Sequence, residues 1–275
     1  MAEQLGEIGT TTAPKDHLEN PEYSDTLKTQ PIDVYIMRHG KEDKSTGELT
    51  EKGVEATQEA AKQIAERSLT GGEPTVFFVL ASPTRRKNLG QRAMHSGRVV
   101  VDTIKSVSNA KGLDQEQATV HVFGDRDEET RPTRHLSVPT YSFDPKVEEH
   151  IIQELQDDWG RAEESFLNMD DPAMEQLIEE ADERNAAAEA DRVARLLRII
   201  ERYSNLYGSV NPGVRQVYIM ATHGDLLRAT VQHGLGAGEE ASGYVFANSE
   251  PVHISLLGGK VETEFRGTRY QTELE

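Results

Sequence analysis

The segment Ile32-Asp33-Val34-Tyr35-Ile36-Met37-Arg38-His39-Gly40 carries the clearest structural signal in the chain. Its first six residues are mostly β-branched, aromatic or apolar, and a short run of this kind reads as a buried strand over 32–37. The glycine behind the histidine reads as a tight turn at the strand's end, where backbone can come close to another group. Tyr218-Ile219-Met220 repeats the tripeptide Tyr35-Ile36-Met37 and again runs into a His-Gly pair, His223-Gly224. Two strands that each deliver an imidazole to their carboxyl end suggest one shared rim.

Leu49-Thr50-Glu51-Lys52-Gly53 leads into a helix over 54–67, with an apolar or small stripe at Val54, Thr57, Ala60, Ala61, Ile64 and Ala65. Thr75–Ala81 reads as a second strand. Ser82-Pro83 follows at once, a helix cap and first-turn pair, opening a helix through Arg85, Arg86 and Arg92 to Ile104. Ala118–Phe123 and Gln216–Ala221 read as further strands, and Asp225–Gln232 as a helix. Val252–Leu257 and Lys260–Phe265 read as a closing pair joined by Gly258-Gly259. Alternating strands and helices predict an α/β fold, a three-layer α/β/α sandwich with a mostly parallel central sheet and a helical insertion.

Residues 1–30 show no apolar period and read as a flexible leader, so the α/β domain is expected over 31–275. The insertion spans about 146–207, broken at Asp170-Asp171-Pro172, with Val147, Ile151, Leu155, Trp159, Phe166, Val193, Leu196, Leu197, Ile200 and Tyr203 near helical spacing. It fits a cap over the rim or a plain packing insertion equally.

Composition narrows the function. The chain has 48 acidic and 30 basic residues, a formal charge of −18, which repels nucleic acid and anionic membrane. No apolar run reaches transmembrane length, and the first twenty residues lack a secretory pattern. There is no cysteine, so thiolate catalysis, disulfides and cysteine-based metal sites are excluded. A cytoplasmic location is expected. An anion site on such a chain must be a local basic pocket. Arg38, with Arg85 or Arg86, beside His39 and His223 makes one, and its natural ligand is a phosphoryl group. The histidines at 95, 121, 135, 150, 233 and 253 show no metal-ligand spacing, and the acidic run 125–129 lacks a calcium-loop pattern.

Arg38-His39-Gly40, Leu49–Gly53, Ser82-Pro83 with its following arginines, and His223-Gly224 stand in the order and at spacings that resemble the histidine phosphatase superfamily, the phosphoglycerate mutase-like enzymes. The resemblance covers roughly 32–110 and 213–257. It implies a metal-independent phosphatase without a cofactor, acting on a small phosphorylated substrate through a phosphohistidine on His39. Arg38, His223 and an arginine after Ser82 would hold the phosphoryl oxygens, and Gly40 and Ser82 would line the substrate site, Gly40 by letting the substrate come close. Arg86 is preferred for that arginine by spacing, whereas Arg92 with Ala93 fits by local context. The proton donor is expected in the carboxylate-rich segment after Phe123, first Glu128, then Glu129, with Asp225 a further candidate. A phosphomutase and a catalytically weak phospho-ligand-binding protein are the alternatives.

Overall fold

The computed structural model describes residues 31–43, 46–82, 92–123, 172–235 and 246–274. Within these, the chain runs β1 (Ile32–Arg38), α1 (Glu51–Ser68), β2 (Thr75–Ala81), α2 (Arg92–Ala110), β3 (Ala118–Phe123), α3 (Pro172–Val210), β4 (Arg215–Thr222) and α4 (Gly224–Ala229). A π-helical turn (Thr230–Gly234) and the strands β5 (Pro251–Leu257), β6 (Lys260–Phe265) and β7 (Thr268–Glu273) complete it. The seven strands form one sheet in the order β3-β2-β4-β1-β5-β6-β7. The four strands from β3 to β1 are parallel, and β5 to β7 add an antiparallel meander beside β1.

β7 lies beyond the closing pair of strands expected from the sequence. β7 reads Thr-Arg-Tyr-Gln-Thr-Glu, with no apolar alternation to announce a strand. It forms because Arg266 and Gly267 both take positive φ, the geometry of a tight two-residue hairpin, and pair Phe265 with Thr268.

Alternation along the strands sorts side chains onto two faces. Tyr35, Met37, Phe77, Val79, Ala81, Val217, Ile219 and Ala221 pack against α1 and α2. Val34, Ile36, Val76, Phe78, Leu80, Tyr218 and Met220 face α3, α4 and the turn after it. These are the three layers of the sandwich. α1 buries Gly53, Thr57, Ala60, Ala61, Ile64, Ala65 and Ser68, so its inner stripe starts at Gly53 and not at Val54. Small residues on that stripe let the helix lie close to the sheet.

Of the expected 146–207 insertion, the part before Pro172 lies outside the described residues. From Ala190 onward α3 belongs to the sandwich: Val193, Leu196, Leu197 and Ile200 are buried in the core. No helix among the described residues is long and apolar enough to cross a membrane.

Candidate active site

The register between β1 and β4 brings the two histidines level. The repeated tripeptides are not opposite each other: Tyr35 pairs with Ile219 and Ile36 with Met220. That one-residue offset turns Tyr35 and Tyr218 to opposite faces. It also cancels the extra residue between Met220 and His223. Arg38 therefore pairs with Thr222, and the next residues are His39 and His223. The His39 amide donates to the Thr222 carbonyl at 2.7 Å, which extends the ladder one step past the strand. α1 leaves β1 on one face and α4 leaves β4 on the other, so the pair stands at a switch point of the sheet, where α/β folds open a crevice.

The two rings lie 5.4 Å apart, centroid to centroid, inclined at 70°. His39 Nδ1 is 2.7 Å from the Gly40 carbonyl oxygen. A carbonyl only accepts, so Nδ1 carries the proton and the lone pair stays on Nε2. Burial pulls the His39 ring down to about 3; the Gly40 carbonyl opposes this, and Arg92, His223 and Arg38 push it further down. Burial, then Arg92 and Arg38, hold His223 at about 4. Both rings are neutral at physiological pH. His223 Nδ1 is buried with no partner among the described residues, and such an atom normally costs about 1–3 kcal/mol.

Arg38 is threaded past the start of α4. Its Nη1 donates to the Phe246 carbonyl, and its Nε is buried and unpartnered among the described residues. A Cβ on Gly224 would stand 3.2 Å from that Nε and 3.3 Å from Cδ, so glycine there leaves Arg38 its path. The backbone beneath is clamped by Ser249, whose amide donates to the Arg38 carbonyl at 3.1 Å.

The loop after His39 is tied to α1 and α2. Thr50 caps α1 by accepting from the Gly53 amide at 3.1 Å, while its own amide and hydroxyl donate to the Lys41 carbonyl at 2.8 and 3.2 Å. Thr57 Oγ1 bonds the Gly53 carbonyl at 2.7 Å and meets Ser249 Oγ at 2.9 Å. The Gly40 amide donates to Ser96 Oγ at 3.0 Å, and that hydroxyl donates to the Arg92 carbonyl at 2.9 Å.

Of the expected site residues, His39, His223, Arg38, Gly40, Ser82 and Arg92 lie among the described residues. Arg92 stands close enough for its charge to act on both rings, and its guanidinium is paired with the Glu42 carboxylate. Ser82 is fully buried, with its amide on the Ala221 carbonyl and its hydroxyl 2.8 Å from Thr222 Oγ1, so it joins the ends of β2 and β4. Arg86, Glu128 and Glu129 lie outside the described residues, as does the Asp225 side chain. Among the described residues no three His, Cys, Asp or Glu side chains stand together as a metal site. Sequence reasoning missed Glu42, Thr57 and Ser249. Ser96 had a signal: a serine four residues after an arginine on a helix can reach back to that residue's carbonyl.

No protein-family model matches the chain, and no curated protein matches it. Several solved structures are similar over most of its length. A mycobacterial structure described as hydrolase 1 is 14% identical with a TM-score of 0.40, covering 87% of this chain and 99% of that one. A mycobacterial glucosyl-3-phosphoglycerate phosphatase is 16% identical, with a TM-score of 0.38 and coverage of 82% and 92%. A phosphoserine phosphatase mutant from Entamoeba histolytica is 15% identical, with a TM-score of 0.36 and coverage of 88% and 95%. At these values the likenesses carry no argument about chemistry.

Proposed function

We propose that this chain is a phosphomonoester hydrolase of the histidine phosphatase type, with His39 as its nucleophile. The observation that carries the reading is the pairing of His39, its Nδ1 held by the Gly40 carbonyl, with His223 at a ring distance of 5.4 Å. A neutral imidazole with a free Nε2 lone pair can attack phosphorus without first losing a proton.

In the first step Nε2 forms a bond to phosphorus, and the ester P–O bond breaks. The leaving alkoxide takes a proton from a carboxylic acid, for which Glu128 and then Glu129 are our candidates. In the second step the same carboxylate takes a proton from water, the water oxygen bonds to phosphorus and the P–Nε2 bond breaks, giving inorganic phosphate, neutral His39 and the restored carboxylic acid. Arg38, His223 and an arginine, either Arg92, whose charge reaches both rings, or Arg86, which lies outside the described residues, hold the equatorial oxygens as charge builds on them; removing one such donor typically costs ~10²–10³-fold in rate. The arginines supply positive charge of the kind a metal provides elsewhere, so turnover is expected without added metal.

The test is hydrolysis of p-nitrophenyl phosphate with and without chelator, together with trapping of the phosphoenzyme by an alkaline detergent quench, a base-stable and acid-labile label marking a phosphohistidine. Turnover that persists in chelator, with both turnover and phosphoenzyme lost in His39→Ala, is the expected result. Undiminished hydrolysis by His39→Ala would sink the assignment.

A further inference from the structure

We infer that Glu42 is an internal competitor for the phosphoryl site: its carboxylate holds the Arg92 guanidinium until a doubly charged phosphoryl group displaces it. This rests on the proposed function and adds a determinant of which anions the site accepts.

Glu42 sits two residues beyond Gly40, on the same loop as the nucleophile. That loop is fixed by the Glu42–Leu49 bridge and by the Thr50 amide on the Lys41 carbonyl at 2.8 Å. Arg92 opens α2, and Ser96 ties its carbonyl to the Gly40 amide. Both partners of the ion pair are thus delivered by backbone that is itself anchored to the His39 turn. Their side chains are 21% and 27% exposed, so the contact is largely shielded from water and salt.

A carboxylate and a phosphoryl group offer a guanidinium the same pair of oxygens in the same fork geometry. They are alternative occupants of Arg92. Because both histidines are neutral, the described positive charge at the site is that of Arg38 and Arg92, and Glu42 cancels one unit of it. A phosphomonoester dianion brings two charges in place of one and gains from the exchange. A phosphodiester or a carboxylate brings a single charge, gains nothing from it, and leaves Glu42 without its partner. The exchange therefore favours monoesters over diesters before any chemistry occurs.

The test uses the full chain and measures binding by calorimetry, with inorganic phosphate, methyl phosphate and dimethyl phosphate as probes. In Glu42→Gln, inorganic phosphate is expected to bind roughly two- to tenfold tighter, the range released by a partly shielded ion pair. The preference for methyl phosphate over dimethyl phosphate is expected to narrow. In an Arg92→Gln background the same substitution should leave phosphate binding unchanged. Glu42→Ala repeats the test without the amide, and thermal unfolding checks that each variant is folded. Weaker or unaltered phosphate binding in both folded Glu42 variants overturns the inference, and weaker binding would make Glu42 a support for Arg92. Because binding needs no turnover, tighter phosphate binding in a chain that proves unable to hydrolyse monoesters leaves this inference standing and removes the hydrolase reading.

Discussion

Gly53→Ala separates the geometry of the nucleophile loop from the stability of the fold. A Cβ on Gly53 would lie 2.1 Å from the Lys41 carbonyl oxygen and 2.8 Å from the Lys41 nitrogen. Both are backbone atoms, so no side-chain rotation relieves the overlap; the loop must retreat by about 1 Å to restore ordinary contact. That retreat strains or breaks the two bonds Thr50 gives to the Lys41 carbonyl, worth about 1 kcal/mol each. Alanine recovers about 1 kcal/mol over glycine in the helix, and residual overpacking adds about 1–3 kcal/mol of cost. The net expectation is a loss of about 2–4 kcal/mol, or a fall in Tm of roughly 4–16 °C for a chain of this size. The rate should suffer more, because a displacement near 1 Å at a reacting group costs on the order of 10²-fold. Gly40 is carried along: its own Cβ position lies 2.5 Å from the Gly53 carbonyl oxygen. Circular-dichroism melting gives the first quantity and p-nitrophenyl phosphate turnover at 25 °C the second. A folded Gly53→Ala protein with wild-type turnover would refute the claim that this contact sets the position of His39.

The two histidines also predict a pH dependence of stability. Their folded values of about 3 and about 4 lie below the ordinary 6.5, so below pH 6.5 the unfolded chain binds more protons than the folded one. Stability is full above 6.5 and falls as pH drops towards those values, by about 1.4 kcal/mol per unit for each ring. Urea unfolding at pH 7.5 and 5 should show this slope in the wild type and a shallower one in a His39→Gln/His223→Gln variant; equal slopes would contradict it. At the opposite end of β1, Asp33 bonds Arg215 at 2.7 and 3.0 Å and His253 at 2.8 Å. Burial raises its carboxyl, but the His253 and Arg215 bonds outweigh burial and hold it below the ordinary range. Asp33→Asn is expected to cost about 1–3 kcal/mol in urea unfolding while leaving kcat unchanged, and a large fall in kcat would show that the sheet transmits the damage.

The central strands were legible because parallel strands buried on both faces are near-continuous apolar runs, and 32–37, 75–81 and 216–221 are such runs. The level placement of His39 and His223 was legible only in outline. The tripeptide repeat announced two equivalent strand ends, while the one-residue offset in their pairing comes from which face each tyrosine must take. β7 was hidden because an exposed edge strand needs no apolar face; its hairpin geometry lies in Arg266 and Gly267. Glu42 was hidden for a different reason. A single carboxylate in a polar loop has no pattern, and its partner stands 50 residues away, joined to it only when α2 folds against the turn after β1.

A nucleophilic imidazole and an anion cradle make opposed demands, since the first needs an unprotonated ring and the second needs positive charge. Here the demands fall on different residue types. Burial strips the proton from both histidines, and the charge comes from arginines, whose guanidinium stays protonated in such surroundings. Arg38 and Arg92 also lower both rings further, so cations that attract a phosphoryl group help to keep its acceptor neutral. An arriving dianion works the other way, because negative charge beside His39 favours its protonated form. In the proposed reaction the arginines must therefore outweigh the substrate's own field at Nε2 while they bind it. Loss of Arg92 would then act twice, weakening the hold on the dianion and letting its charge protonate the nucleophile at a higher pH.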